Sequence, residues 1–174
     1  MGKFTEYNRA EATKYATKWA LSRNPAYKDY EEWGGDCTNY VSQCVHAGGI
    51  PFDHEGNNIL KQWYWYSDMN RTPSWTGAEP FYKYLIGNNT DDTQNFGVYA
   101  KEVAYNELEL GDIVQLIYEN DLAYHNMIIT DVILEGNYLI DYLICQHTYD
   151  LLNYPLSMKQ GEKRYIKILG YYES

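Results

Sequence analysis

One segment, Gly34-Gly35-Asp36-Cys37-Thr38-Asn39-Tyr40-Val41-Ser42-Gln43-Cys44-Val45-His46-Ala47-Gly48-Gly49, sets a cysteine at the mouth of a short helix between paired glycines. A helix start presents unpaired N–H groups and a partial positive charge. A thiol in the first turn therefore has its thiolate favoured and an anion site beside it. An acyl-transfer nucleophile needs both, so Cys37 is the candidate nucleophile, its own backbone N–H one oxyanion donor, and a base must come from elsewhere. Of the four histidines, His46 is expected on the exposed side of the Cys37 helix and His54 in a turn-rich stretch, both solvated. That leaves His125 as general base and then general acid, and His147 to fix its tautomer and orientation, with Gln146 and Asp150 behind His147 as candidates.

The elements that must carry these residues follow from spacing. Asp36 reads as an N-cap; Cys37, Tyr40, Val41, Cys44 and Val45 recur at the interval of one buried helical stripe, and Gly48 supplies the stop. Cys44 reads as core, and Thr38 and Asn39 as help in capping the first turn. Upstream, Asn8 with Glu11 forms a capping box for a first helix. Its inner stripe is Ala12, Tyr15, Ala16, Trp19 and Ala20, and Asn24-Pro25 ends it. The pattern then weakens from Phe52 to Gly97, with turns expected at Thr72-Pro73 and Glu79-Pro80 and a polar surface loop from Gly87 to Asn95. In the last third, Ile113 to Tyr118, Asn126 to Leu134, Tyr138 to Cys145 and Arg164 to Tyr172 are short β-rich runs separated by turns. Helices first and strands later predict an α+β domain, the nucleophile helix packed on a C-terminal antiparallel sheet, in one unit spanning 1–174.

Register decides whether the histidines meet. A hairpin centred on Gly136 sets His125, eleven residues before it, opposite His147, eleven residues after it, with Cβ atoms about 5 Å apart. The same register opposes Asp131 to Asp141, an unfavourable like-charge pair. A two-residue turn at Gly136-Asn137 would instead put the two histidines on opposite faces.

The run Asp36-Cys37-Thr38-Asn39-Tyr40-Val41-Ser42-Gln43 with Gly48-Gly49, then Trp63-Tyr64, Gly111-Asp112-Ile113-Val114 and His125, resembles the putative amidase domain family. That family is a branch of the papain-like cysteine peptidases related to the NlpC-type cell-wall enzymes. The resemblance runs from about Tyr7 to Tyr171. It implies a papain-like fold, a Cys-His pair with a polar third residue on the strand after the histidine strand, and amide hydrolysis through an acyl-thioester on peptides, cell-wall peptides among them. It also implies that Asp36, whose plain role is capping, helps hold a substrate ammonium.

Composition narrows the alternatives. With 14 Lys plus Arg against 24 Asp plus Glu, the net charge of -10 argues against nucleic acid. No apolar run is long enough to span a bilayer. The opening Met1-Gly2-Lys3-Phe4-Thr5-Glu6 has no apolar signal segment, so the protein is expected in the cytoplasm, or at the cell wall if an export sequence lies outside it. Three cysteines imply no disulfide framework. No cofactor is called for, and a monomer is expected. A zinc site at Cys37, His125 and His147 has suitable ligand types but no supporting spacing. The 20 Tyr and 5 Trp are densest at Gln62-Trp63-Tyr64-Trp65-Tyr66. Trp63 and Trp65, joined by Trp75, could line a groove that stacks on peptide or sugar. On that basis a non-catalytic wall- or glycan-binding module is the alternative, with Cys37 merely buried; a core role for most of these rings is the simpler reading.

Overall fold

The computed structural model describes residues 2–89 and 95–173. Among them the chain forms four α-helices and nine β-strands, a mixed α/β arrangement with a curled antiparallel sheet. None of these helices is long and apolar enough to cross a membrane.

The first strand β1 (Phe4–Glu6) leads into α1 (Arg9–Trp19), where Asn8 Oδ1 accepts the Glu11 N–H at 3.0 Å. The inner stripe is as its spacing dictates: Ala12, Ala16 and Ala20 are fully buried, with Tyr15 and Trp19 packed against the same core. The helix α2 (Cys37–Ala47) ends at Gly48, whose N–H returns to Cys44 O. Its burial is wider than one stripe, because every residue from Cys37 to Val45 is buried. An all-round buried helix belongs in the centre of a fold rather than on its surface.

The middle region, weak in pattern, holds more structure than its turns predicted. A small hairpin of β2 (Trp65–Ser67) and β3 (Asn70–Arg71) precedes α3 (Pro73–Thr76) and α4 (Ala78–Gly87). Both expected turn prolines lie in first helical turns, where a missing N–H and a fixed φ are tolerated. Part of the polar loop expected after Gly87, residues 90–94, lies outside the described residues.

The large sheet contains β4 (Gly97–Glu102), β5 (Ile113–Ile117), β6 (Ala123–Glu135), β7 (Tyr138–Gln146), β8 (Leu151–Pro155) and β9 (Glu162–Tyr172). Its order is β1-β9-β5-β6-β7-β8, with β4 on the other edge of β9. One cluster, including Ile113, Ile128, Cys145 and Ile166, packs with Tyr40, Val41 and Cys44 of α2; a second, including Val114, Met127, Ile129 and Ile144, gathers with Leu108 and Leu156. The β6–β7 hairpin corrects the expected register. Glu135 pairs with Tyr138 across a two-residue Gly136-Asn137 turn, Asp131 meets Leu143, and Asp141 meets Ile133. The like-charge pair is thereby avoided, and the ladder runs only to Ile128 opposite Cys145, short of both histidines.

Candidate functional site

Cys37 is the first residue of α2 and is 9% exposed. The start of this helix is tied to the sheet by a buried polar chain: Gln115 Nε2 donates to Asn126 Oδ1 at 2.9 Å, and Asn126 Nδ2 donates to Thr38 Oγ1 at 2.9 Å. Thr38, expected only to help cap, is thus the anchor that fixes Cys37 against β6 one residue from His125. The sulfur lies 3.7 Å from Thr38 Oγ1. No histidine nitrogen is among the hydrogen-bond partners of Sγ in the described residues.

Asp36 does not cap the helix it precedes. Its Oδ1 accepts from Tyr30 N–H and Asn39 Nδ2, both at 2.9 Å, and its Oδ2 meets His147 Nδ1 at 2.5 Å. Asn39 in turn accepts Trp75 Nε1–H at 2.9 Å, so it braces the loop rather than the helix. Among the described residues no side-chain hydrogen bond caps the positive end of α2.

His125, on β6, is 8% exposed, and its Nε2 lies 2.9 Å from Gln146 Oε1. The orientation of that amide follows from its surroundings. Gln146 Nε2 donates to Thr148 O at 3.0 Å and Tyr149 O at 2.8 Å, so its oxygen must face the histidine. An acceptor there requires the proton on His125 Nε2 and leaves the lone pair on Nδ1. The expected imidazole pair therefore does not form: Gln146 holds His125, while both nitrogens of His147 are engaged by Asp36 and by Trp19 O at 2.7 Å. Gln146 was one candidate among three because a glutamine after an apolar strand carries no special signal. Asp150, the other, is paired with Arg23 at 2.8 and 3.0 Å. The convergence that a Cys37-His125-His147 metal site would need is lost with the imidazole pair.

Burial sets the resting charges. It pushes the Cys37 thiol above its ordinary range, against the Asn126 amide and the Thr38 contacts, with the Asp36 carboxylate adding to the rise. Burial likewise pulls the His125 imidazole below its ordinary range; the Gln146 bond opposes this and the charge of Lys159 adds to it. Both directions favour the neutral thiol and the neutral imidazole, against the thiolate that helix position alone suggested.

The aromatic residues divide. Trp63 (1% exposed) and Trp75 (fully buried) stand 4.6 Å apart in the core, with Trp63 Nε1 directed at Ser42 Oγ, 3.4 Å away. Trp63 is therefore no groove wall. Trp65 is half-buried and donates to Tyr30 OH at 3.0 Å. His46 is half-buried rather than solvated, bonded to Ile50 O at 2.8 Å and stacked on Phe52. His54 is exposed, 2.7 Å from Tyr66 OH. A cavity of about 520 Å³ lined by Glu55, Asn57, Lys61, Asn88 and Phe96 shares no residue with the Cys37 site.

The structure thus sets a buried cysteine at a helix start, tied to a strand whose histidine is held by an amide, on a mixed α/β scaffold. The chain belongs to the putative amidase domain family, whose profile matches residues 6–169. It is similar to the uncharacterized protein YhbB of Bacillus subtilis (strain 168), 32% identical over 150 residues, which cover 86% of this chain and 44% of that protein. It is also similar to the uncharacterized protein YjcM of the same strain, 30% identical over 173 residues, covering 92% of this chain and 36% of that one. The chain thus spans less than half the length of these curated relatives. No solved structure matches it.

Proposed function

We propose that the protein is a cysteine amidase that cleaves peptide amides through an acyl-thioester on Cys37. In this reading His125 Nδ1 takes the Cys37 proton as sulfur attacks the carbonyl, then returns it to the leaving amine; water, deprotonated by the same nitrogen, releases the acid. Gln146 holds the ring in the one tautomer that can do this, the part played by the third residue of a catalytic triad. Backbone N–H groups at the start of α2 receive the oxyanion. The papain-like relationship and a cell-wall peptide as substrate belong to the same proposal.

The observation that carries it is the locked Gln146 amide. A glutamine fixed by two carbonyls turns its oxygen to His125 Nε2 and leaves a lone pair on His125 Nδ1. The binding-module reading loses support, because Trp63 and Trp75 are core residues. The test is incubation of wild type, Cys37→Ser and His125→Ala with a panel of peptide amides, followed by intact-mass measurement after acid quenching. A Cys37-linked acyl group, lost with Cys37→Ser, is expected; turnover that survives Cys37→Ser refutes the assignment.

A further inference from the structure

His147 has no place in the steps above, yet it is 2% exposed and bonded at both ring nitrogens. Nε2 faces the Trp19 carbonyl, which cannot donate, so this nitrogen carries hydrogen. Between Nδ1 and Asp36 Oδ2 lies one further proton. The donors around Asp36 decide where it resides. Tyr30 N–H and Asn39 Nδ2 occupy Oδ1, and Arg23 Nε stands 3.6 Å from Oδ2, an environment that favours a carboxylate. The ring side agrees, since the Tyr40 ring stacks on the imidazole with centroids 4.0 Å apart, where its π face favours a cation.

Arg23 is bonded to Asp150, and Asp29 (3.2 Å), Glu31 (3.6 Å) and Asp36 lie around the same guanidinium. We propose that His147 is a standing imidazolium that neutralises Asp36 beside Cys37, a positioning residue for the charge of the nucleophile rather than for the base. Left alone, Asp36 would oppose the negative sulfur that forms during attack. Compensated, it can organise the Tyr30–Asn39 loop at little cost to the thiol. The effect on Cys37 rests on its role as nucleophile proposed above; the charge of His147 does not.

The first test needs no variant. In the full chain labelled with 15N-histidine at neutral pH, His147 should show two protonated ring nitrogens, while His125 shows one protonated nitrogen and one lone pair. A lone-pair nitrogen on His147 at that pH overturns the proposal. The second test follows alkylation of Cys37 by iodoacetamide against pH. His147→Gln keeps a donor toward Asp36 but removes the charge, and should raise the midpoint by about one unit, tenfold slower labelling at neutral pH. Adding Asp36→Asn should bring the midpoint back, a rescue that a merely structural role would not give. A midpoint within about 0.3 unit of wild type in His147→Gln, or no recovery in the double variant, overturns it. If His147→Gln does not fold, Asp36→Asn alone decides: His147 should then lose its second proton at neutral pH, and a ring still doubly protonated overturns the pairing. None of these readouts uses an amide substrate, so absence of amidase activity would sink the functional reading and leave this one standing.

Discussion

Replacing Gln146 by glutamate changes one atom's chemistry at constant shape. Gln146 is 1% exposed, receives the His125 Nε2–H through Oε1 and donates through Nε2 to Thr148 O and Tyr149 O. Glutamate puts an acceptor where those two carbonyls expect a donor, which removes two hydrogen bonds worth about 1 kcal/mol each. Both carbonyls belong to residues with φ of 61°, a left-handed conformation that the lost donor helped to hold. Against this, the bond to His125 becomes charge-assisted and gains about 1 kcal/mol. With the cost of burying a carboxylate added, net destabilisation of about 2 kcal/mol is expected, a drop in Tm of roughly 4–8 °C for a chain this size.

The catalytic effect has the opposite character. In the wild type, burial holds the His125 value below that of a free imidazole, so the acid limb of kcat/KM should fall below about pH 6.5. The base works neutral; activity is lost as pH descends through that value. A carboxylate on Nε2 favours the imidazolium and should move the limb upward by about 1–2 units. Gln146→Ala should leave the limb in place and lower kcat about 10–100-fold, because orientation alone is lost. Thermal unfolding by circular dichroism and a pH series with a chromogenic peptide amide read both effects. An acid limb in Gln146→Glu that coincides with the wild type would refute the claim that Gln146 governs this histidine.

Four further outcomes follow from other contacts. Gly35 has φ of 107°, and a Cβ there would lie 3.1 Å from Thr148 Oγ1, the acceptor for Asp36 N–H; Gly35→Ala should cost about 1–2 kcal/mol in urea unfolding and also lower kcat. Arg9 donates to Asp112 Oδ1 at 2.7 Å and to the carbonyls of Leu110 and Ile168, while Asp112 is fully buried; Arg9→Ala strands that carboxylate and should cost about 3–5 kcal/mol near pH 7. Trp63→Ala should cost about 3–5 kcal/mol in the same assay, with residual activity at low temperature tracking the folded fraction. The depressed value of His125 means that, as pH falls from about 6.5 toward it, the unfolded chain binds a proton the folded one does not. Stability therefore drops with falling pH across that window, and His125→Asn should flatten the slope there in urea titrations at successive pH values.

Much of the framework was legible because local patterns and final packing agree. Asn8, the alanine stripe and Gly48 mark helix ends and faces by short-range chemistry, and the four apolar runs of the last third are four of the strands observed. Helices α3 and α4 were not legible, since Pro73 and Pro80 read as turns until the chain around them is seen to begin helices. At the site, residue type was enough to put Cys37 and His125 forward as candidates. Partnership was not, because it rests on a hairpin register that a shift of one residue reverses. The two-residue Gly136-Asn137 turn sends His147 to Asp36 and leaves His125 to Gln146.

What the sequence by itself determined was therefore a list of groups able to do acyl transfer and the elements that carry them, since capping, periodicity and side-chain chemistry act over a few residues. Which imidazole is held by which oxygen, that Asp36 turns away from its helix, and that burial keeps the thiol and the base uncharged were decided by tertiary structure. Hydrogen-bond direction and desolvation depend on neighbours that lie 21 to 128 residues apart in the chain.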